Sequence, residues 1–483
     1  MDLLNEMYRF RPIDNLLDKY QELENQEIYF ASPGELNDPV EGFRDIYWKG
    51  DSVVWRNLLK HYLRCLEHIY SLTIILSEEK GINSKDIPIN INSLKFPTTE
   101  YREMFKEIHD IFFKTKFLSS LPKDLESRIN PIRRGELLSY LKLIHPFAIE
   151  IITEVYRNHQ ILPKSKSSKD HLDEFRKVIE KAGSIVLLTN RLEQEHSSYK
   201  HKNIAELFFS LTNMVGSEFQ LISQYSKGKE IELHSNKFFL LSEFPEQFLQ
   251  RLESLVYPDW FSASFMSECT NSSIWGHYGE NHKGVCLIFN TVNNTDRIQI
   301  NLETEHGYSN NGPIIGMVPH PFQKVEYENK HVSIDFFRSL GRASVIQLEH
   351  QWYTDEFGNK SECGEYLKNN QDKWRKNYWE NFQKSLTTKL DDWQYEKEYR
   401  LIINDGLIDY QNKNNRKLKY DFSSLKGIIF GIKTSNSDKI RILKIVEEKC
   451  EKSNRKDFEF YQAYYSQDSG KIEKQKLNLL KFE

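Results

Sequence analysis

The chain has 483 residues, 66 Lys and Arg against 70 Asp and Glu, and a formal net charge of −4; that length holds roughly two to four domain-sized units, and that charge excludes a protein working through a global basic field. Five cysteines (Cys65, Cys269, Cys286, Cys363, Cys450) are scattered, odd in number and without a CxxC pair, which argues against a disulfide framework and a structural zinc site. No apolar run approaches the roughly 20 residues of a membrane span, and the N-terminus is acidic, so the expectation is a cytoplasmic protein without a signal peptide or a membrane partner.

Met7 to Arg11 alternates as a short strand, with Tyr8 or Phe10 able to face inward. A helix is expected over 14–23 and a strand over 26–31. Ser32 to Phe43 then carries Asn37-Asp38-Pro39. A residue before proline is pushed out of the helical region, and Asn and Asp side chains bond nearby backbone, so this is a stiff loop. Asp38 and Glu41 held there, close to Arg9 or Arg11, would suit a polar pocket; the plainer reading is a turn.

From Ser52 to Leu241 the texture becomes helical. Apolar residues recur at helical spacing in 53–75, 101–117, 137–156, 171–181 and 204–225, with Pro- and Ser/Lys-rich joints between them. No period repeats, which excludes a solenoid. The expected organisation is a helical insertion over 52–241 between two halves, 1–51 and 242–483, of one β-rich domain. The insertion's basic residues read as a solvated face, with a partner-protein or nucleic-acid surface as the alternative.

Phe261 to Met266 and Val285 to Phe289 read as strands. Between them lie two Gly, two His, a Trp and a Tyr with almost no aliphatic residue, a composition that suits a site lined by aromatic faces and polar tips. Strands are expected over 322–327, in the Asp392–Ile403 segment, and over 417–422, 427–430, 458–465 and 472–479. Helices are expected over 331–348, 368–389 and 436–449. The fold class is therefore α+β, with a mixed or antiparallel sheet.

Four groups of residues carry chemistry. Glu396 and Glu398 alternate ahead of an apolar run, so on an extended chain both carboxylates share a face, where like charges drive one pKa up. Arg400 supplies a counter-charge on that face; a surface ion-pair strand is the alternative. Ser262 and Ser264 likewise share a face, where hydroxyls can position a ligand's sugar. No GxSxG elbow accompanies them, which excludes that kind of serine hydrolase. His277 and His282 lack the further ligand that a metal would need, so no metal is expected. Arg9 and Arg11 offer guanidinium forks for a phosphate. Tyr8, Asn37, Asp38, Trp275 and Tyr278 complete the candidate binding set.

The order Arg, then aromatic-Ser-x-Ser, then Glu-x-Glu leading a strand resembles the signature of ADP-ribosyltransferases. The resemblance implies an ADP-ribosyltransferase-like sheet domain. Arg9 or Arg11 would anchor NAD, Ser262 and Ser264 would hold the nicotinamide-side ribose, Glu398 would be the catalytic acid and Glu396 its accessory. The middle residue, Ala263, departs from the Thr of many members. The chain is also similar to the prokaryotic domain-of-unknown-function family 2971, through Tyr8–Arg11, Ile28–Pro39, Trp275–Gly284 and Trp393–Arg400. That resemblance covers about the first 50 and last 240 residues, and implies an origin in bacterial defence or toxin loci.

The expected activity is that of an NAD-consuming transferase or glycohydrolase acting on a protein, a nucleic acid or water. Phe261, Trp275 and Tyr278 would stack on a ring and His277 would bond a ribose hydroxyl. One alternative is a nucleotide- or partner-sensing module whose helical insertion docks a protein. Another is a metal-dependent nuclease using Asp38, Glu41, Glu396 and Glu398.

Overall fold

The computed structural model describes the whole chain except residues 1–4, 39, 41, 78, 92–94, 165–170, 196–203, 228–234, 295–296, 311, 405–407 and 483. The chain divides into two compact units. The first comprises Met1–Arg44, Pro258–Val332 and Gln383–Glu483; the second comprises Asp45–Tyr257 and Ser333–Phe382.

The first unit is built on an eight-stranded sheet. Its strands are β1 (Glu6–Arg11), β2 (Trp260–Met266), β3 (Val285–Asn290), β4 (Gln323–Lys324), β5 (Glu398–Asn404), β6 (Leu425–Phe430), β7 (Glu459–Ser466) and β8 (Lys471–Lys476). Their spatial order is β4-β5-β2-β1-β3-β6-β7-β8. All neighbours run antiparallel except β6 and β7, a parallel pair joined through α1 (Asn436–Ser453). A parallel pair needs such a crossover, so the sheet is mixed.

The alternation in β2 decides the faces. Phe261, Ala263 and Phe265 enter one core with Leu287, Leu401 and Phe430, against which α1 lays Ile442, Val446 and Cys450 at four-residue spacing. Met266 looks the other way, into a smaller core with Phe10, Trp275, Cys286 and Ile288. Directly opposite residues of antiparallel strands share a face, so Arg400 lies with Ser264 and Ile402 with Ser262.

Between β2 and β3 the expected turn contains a short helix, Ser272–His277, capped by the Asn271 side chain. It closes through three successive left-handed residues, Glu280, Asn281 and His282, at φ 53°, 51° and 69°. Each costs roughly 1–2 kcal/mol, offset by bonds from His282 N to the Trp275 carbonyl and from Gly284 N to the Gly279 carbonyl. Gly284 follows because a Cβ there would lie 2.4 Å from the Arg11 carbonyl oxygen. The Trp275–Gly284 motif is thus largely the fastening of this turn onto the end of β1.

A second sheet in this unit orders Glu27–Tyr29, Lys417–Tyr420, Arg297–Ser309 and Val292–Asn294, with Gly312–Pro321 paired to Arg297–Ser309. That long hairpin is absent from the sequence reading.

The second unit centres on the helices Ser52–Leu76 and Arg134–Asn158, which bury Leu58, Tyr62, Leu66, Leu141, Ile144 and Ile151. Its extent differs from the expected insertion over 52–241, because 45–51, 242–257 and 333–382 also belong to it. The helix expected over 331–348 is instead a strand, Ser333–Asp335, then irregular chain and a helical turn from Val345. Ile334 pairs beside Ile46 in a small sheet, and that pairing overrides the local period. The helix expected over 368–389 is Gln371–Thr387 and gives way to the strand Thr388–Leu390.

Candidate functional site

β1 pairs with β3 along all six of its residues, but with β2 only at Tyr8 opposite Met266. Beyond that point β1 and β2 part, and Ala31 takes the bridge to Ser262 that β1 leaves vacant. Parting strands expose carbonyls that need donors. Arg9 supplies them: Nη1 donates to the Ser264 carbonyl at 3.3 Å and Nη2 to the Tyr29 carbonyl at 3.2 Å. The cleft that opens here has a volume of about 530 Å³, within the range of small-molecule sites.

Arg9, Arg11, Asn37, Ser262, Ser264, His277 and Tyr278 all line this cleft. Arg9 and Arg11 are on one face, and both reach it, so either-or gives way to a division of labour. Arg11 is forked onto the Glu22 carboxylate, with Nε to Oε2 at 2.6 Å. Arg9 is 5 % exposed and, among the described residues, makes no ion pair within 4 Å. Burial and the neighbouring Arg11 charge lower its pKa, so its charge is held at a cost. The Ser262 hydroxyl is buried with no hydrogen-bond partner among the described residues. His277 is exposed, with Nδ1 3.2 Å from the Tyr395 hydroxyl.

Glu396 and Glu398 stand behind this wall rather than in it. Both are buried, at 0 and 2 % exposure. Lys389 Nζ, itself a lining group, donates to Glu396 at 2.7 Å and to Glu398 at 3.4 Å. The Tyr278 hydroxyl donates to Glu396 at 2.6 Å. Arg400 holds Glu398 through Nε and Nη2 at 2.9 and 3.0 Å, and its Nη1 is anchored on the Leu386 carbonyl. The Ser264 hydroxyl also bonds Glu398, and the Glu398 amide donates to the Tyr327 hydroxyl. Two carboxylates and two cations make the cluster formally neutral.

The two acids differ as a result. Burial pushes the Glu396 carboxyl up, and Glu398 adds to that against the pull of Lys389. Burial would raise Glu398 as well, but Arg400 and Lys389 overcome it and hold the carboxyl at about 2. An acid whose pKa is raised beside one whose pKa is lowered is a pattern that serves proton transfer and charge stabilisation.

The route by which the acids meet differs from the expected one. Glu396 ends a 3₁₀ turn, Asp391–Glu396, and Glu398 begins β5. Lys397 between them is left-handed at φ 47°. The side chains converge through a reversal at Lys397, not through the period of an extended strand.

Several expected site residues lie elsewhere. Trp275 is fully buried, packs edge-on against Phe10 at 4.8 Å and donates from Nε1 to the Cys269 carbonyl, so it has no face for a ligand. Phe261 points into the larger core, with the Arg416 guanidinium 4.1 Å from its ring centre. Tyr8 is tied to Glu6 at 2.7 Å and to Lys474 at 3.0 Å, away from the cleft. Asp38 is buried and accepts the Val40 amide, as a turn residue does. Of the nuclease alternative's carboxylates, Asp38, Glu396 and Glu398 are described, and among the described residues no group of three or more His, Cys, Asp or Glu could hold an ion. Glu41 lies outside the described residues.

Lys389, Tyr327, Lys413 and Lys417 are site or supporting residues that the sequence reading missed. Lys389 sits at the end of a helical-looking run, and only its tertiary position marks it out.

Comparison with protein families matches residues 274–401 to a family described as "Protein of unknown function (DUF2971)". The matched span holds the Trp275–Gly284 turn, Lys389 and the Glu396–Arg400 cluster; β1 and β2 lie before it. No curated protein and no solved structure matches the chain.

Proposed function

We propose that the first unit binds a phosphorylated nucleotide in the Arg9 cleft, with NAD the leading candidate, and consumes it as an ADP-ribosyltransferase-like transferase or NAD glycohydrolase. One observation carries the reading. Arg9 is buried, is hydrogen-bonded to two neutral carbonyls with no ion pair within 4 Å among the described residues, and faces a cleft lined also by Arg11, Lys389, Lys413 and Lys417 and, among the described residues, by one acidic residue, Glu35. An anion would relieve that charge. Ser262 has an unused hydroxyl on the same cleft, suited to a ribose. The ionised Glu398 carboxylate behind Ser264 would favour a developing ribosyl cation electrostatically.

A second reading, a module that binds a nucleotide without breaking it, is favoured by a specific feature. Both Glu398 oxygens are already engaged by Arg400 and Lys389. Calorimetry with NAD and ADP-ribose, together with free nicotinamide measured after incubation with NAD, separates the two. Binding and nicotinamide release in the wild type, with release lost in Glu398→Gln and binding lost in Arg9→Met, is the expected result. Binding without release supports the second reading. Neither binding nor release removes both.

A further inference from the structure

The cations of the Arg9 cleft are unevenly balanced, and the surplus gathers at one end. Arg11 is neutralised by Glu22, and Lys389 with Arg400 balances Glu396 and Glu398. Lys413 and Arg416 share a single acid, Glu35, at 2.6 and 3.0 Å. Arg9 and Lys417 make no ion pair within 4 Å among the described residues. Three positive charges are left over: Arg9, Lys417 and the one by which Lys413 and Arg416 exceed Glu35.

All three stand around Tyr29. Arg9 donates to the Tyr29 carbonyl at 3.2 Å. Lys417 is the direct partner of Tyr29 across antiparallel strands, so the two side chains share a face. The Tyr29 hydroxyl bonds Glu35 at 3.1 Å. The Arg416 side chain is 6 % exposed and holds Glu35 from within, whereas that of Lys413 is 71 % exposed. An exposed lysine pair is worth little, so Lys413 is the cation that can turn to a ligand. Arg9 also sets the direction of the cleft. Nη1 reaches the Ser264 carbonyl and Nη2 the Tyr29 carbonyl, so Arg9 stands between the serine end and the Tyr29 end. With a diphosphate at Arg9 and the nicotinamide-side ribose at Ser262, the adenosine ribose lies towards Tyr29, Lys417 and Lys413.

We propose that the cleft prefers a dinucleotide bearing a phosphomonoester on its adenosine ribose, NADP over NAD, and that Lys417 and Lys413 hold that phosphate. The inference rests on the reading of the cleft as a dinucleotide site. A phosphomonoester carries a charge of about −1.5 to −2 near neutral pH, which two lysines match. The acid at this end points the same way. Sites for the unphosphorylated dinucleotide set a carboxylate on the ribose 2′-hydroxyl, whereas a cation accommodates a 2′-phosphate. Glu35 is the one acid lining the cleft among the described residues, and both its oxygens are engaged, Oε1 by Lys413 and Oε2 by Arg416.

The test is calorimetry of the full chain with NADP and with NAD, read as the ratio of the two affinities, with far-UV circular dichroism as the check on folding. NADP is expected to bind about tenfold tighter or more, the effect of one hydrogen bond to a charged group. Lys417→Met should cut the ratio to about threefold, the worth of the one exposed lysine left. Lys417→Met with Lys413→Met should abolish it, and Lys417→Glu should invert it. Lys433→Met removes a charge from the same unit at an exposed position that does not line the cleft, and should keep the wild-type ratio. Equal binding of NADP and NAD, a preference that survives the double change, or a ratio that falls as far in Lys433→Met overturns the inference and leaves the cleft a dinucleotide site. Binding of neither overturns that reading, and the inference with it.

Discussion

The Glu398 carboxylate receives both Nε and Nη2 of Arg400, two residues along the same strand, and neither partner is more than 2 % exposed. Breaking such a pair from one side leaves the other charge buried alone, which costs about 3–5 kcal/mol. Glu398→Gln is therefore expected to lower stability in urea at pH 7 by that order. Glu398→Gln with Arg400→Met is expected to cost less than the sum of the two single changes. The pH dependence has a definite sign. A carboxyl lowered on folding from 4.5 to about 2 contributes stability present above 4.5 and lost as pH falls towards 2. That contribution is about 3 kcal/mol. The stability difference between wild type and Glu398→Gln should accordingly shrink over this window, measured by denaturation at successive pH values.

Lys389 serves both acids at once, which makes it the more sensitive test of the cluster. Lys389→Met removes the cation shared by Glu396 and Glu398 and leaves Glu398 its pair with Arg400. Glu396, whose carboxyl burial already raises, is the acid that should take up the proton. An acid raised on folding gains stability as pH falls through its folded pKa. The variant is thus expected to lose a few kcal/mol at pH 7 and to recover part of it at pH 5, read by urea denaturation at the two values. Equal loss at both would place the proton elsewhere.

Much of the site's geometry is legible in local alternation. The period of Trp260–Met266 separates Ser262 and Ser264 from Phe261 and Phe265, and the structure keeps that separation. The acidic doublet was legible as two nearby carboxylates but not in its mechanism of meeting, since no propensity marks Lys397 as left-handed. The hairpin Arg297–Ser309 and Gly312–Pro321 gave no signal because its second strand is mostly exposed and buries no alternating stripe. Trp275 misled for a physical reason: an aromatic and glycine-rich stretch can be a site wall or a turn clamp, and its indole is used as the clamp. The Arg9 position depends on β1 parting from β2, a tertiary event invisible in the five residues Met7–Arg11.

Arg9 should show its role through anions. Pyrophosphate, as a probe of the cleft without a base or sugar, is expected to raise the melting temperature of the wild type. A ligand at a hundred times its dissociation constant stabilises by about 2.7 kcal/mol. The shift should be absent in Arg9→Met and much reduced in Arg9→Lys, because an ammonium cannot span the Ser264 and Tyr29 carbonyls and an anion as a planar fork does. It should also weaken with added salt. A shift of equal size in Arg9→Met would assign the anion to the lysines of the rim.

Ser262 separates a binding role from a structural one. The residue is 1 % exposed, lines the cleft, and its hydroxyl has no partner among the described residues. A buried hydroxyl without a bond is a cost of about 1–3 kcal/mol to the fold. Ser262→Ala is therefore expected to leave the unliganded protein as stable as wild type or slightly more so, by thermal denaturation. If a ribose hydroxyl supplies the missing partner, the same change should weaken NAD or ADP-ribose binding about tenfold, the effect of one hydrogen bond of roughly 1.4 kcal/mol. Ser264→Ala should behave differently, since its hydroxyl bonds Glu398 and its loss is felt with or without ligand. Calorimetry and melting on the two variants side by side read this contrast directly: reduced stability in Ser262→Ala with unchanged affinity would make the hydroxyl structural.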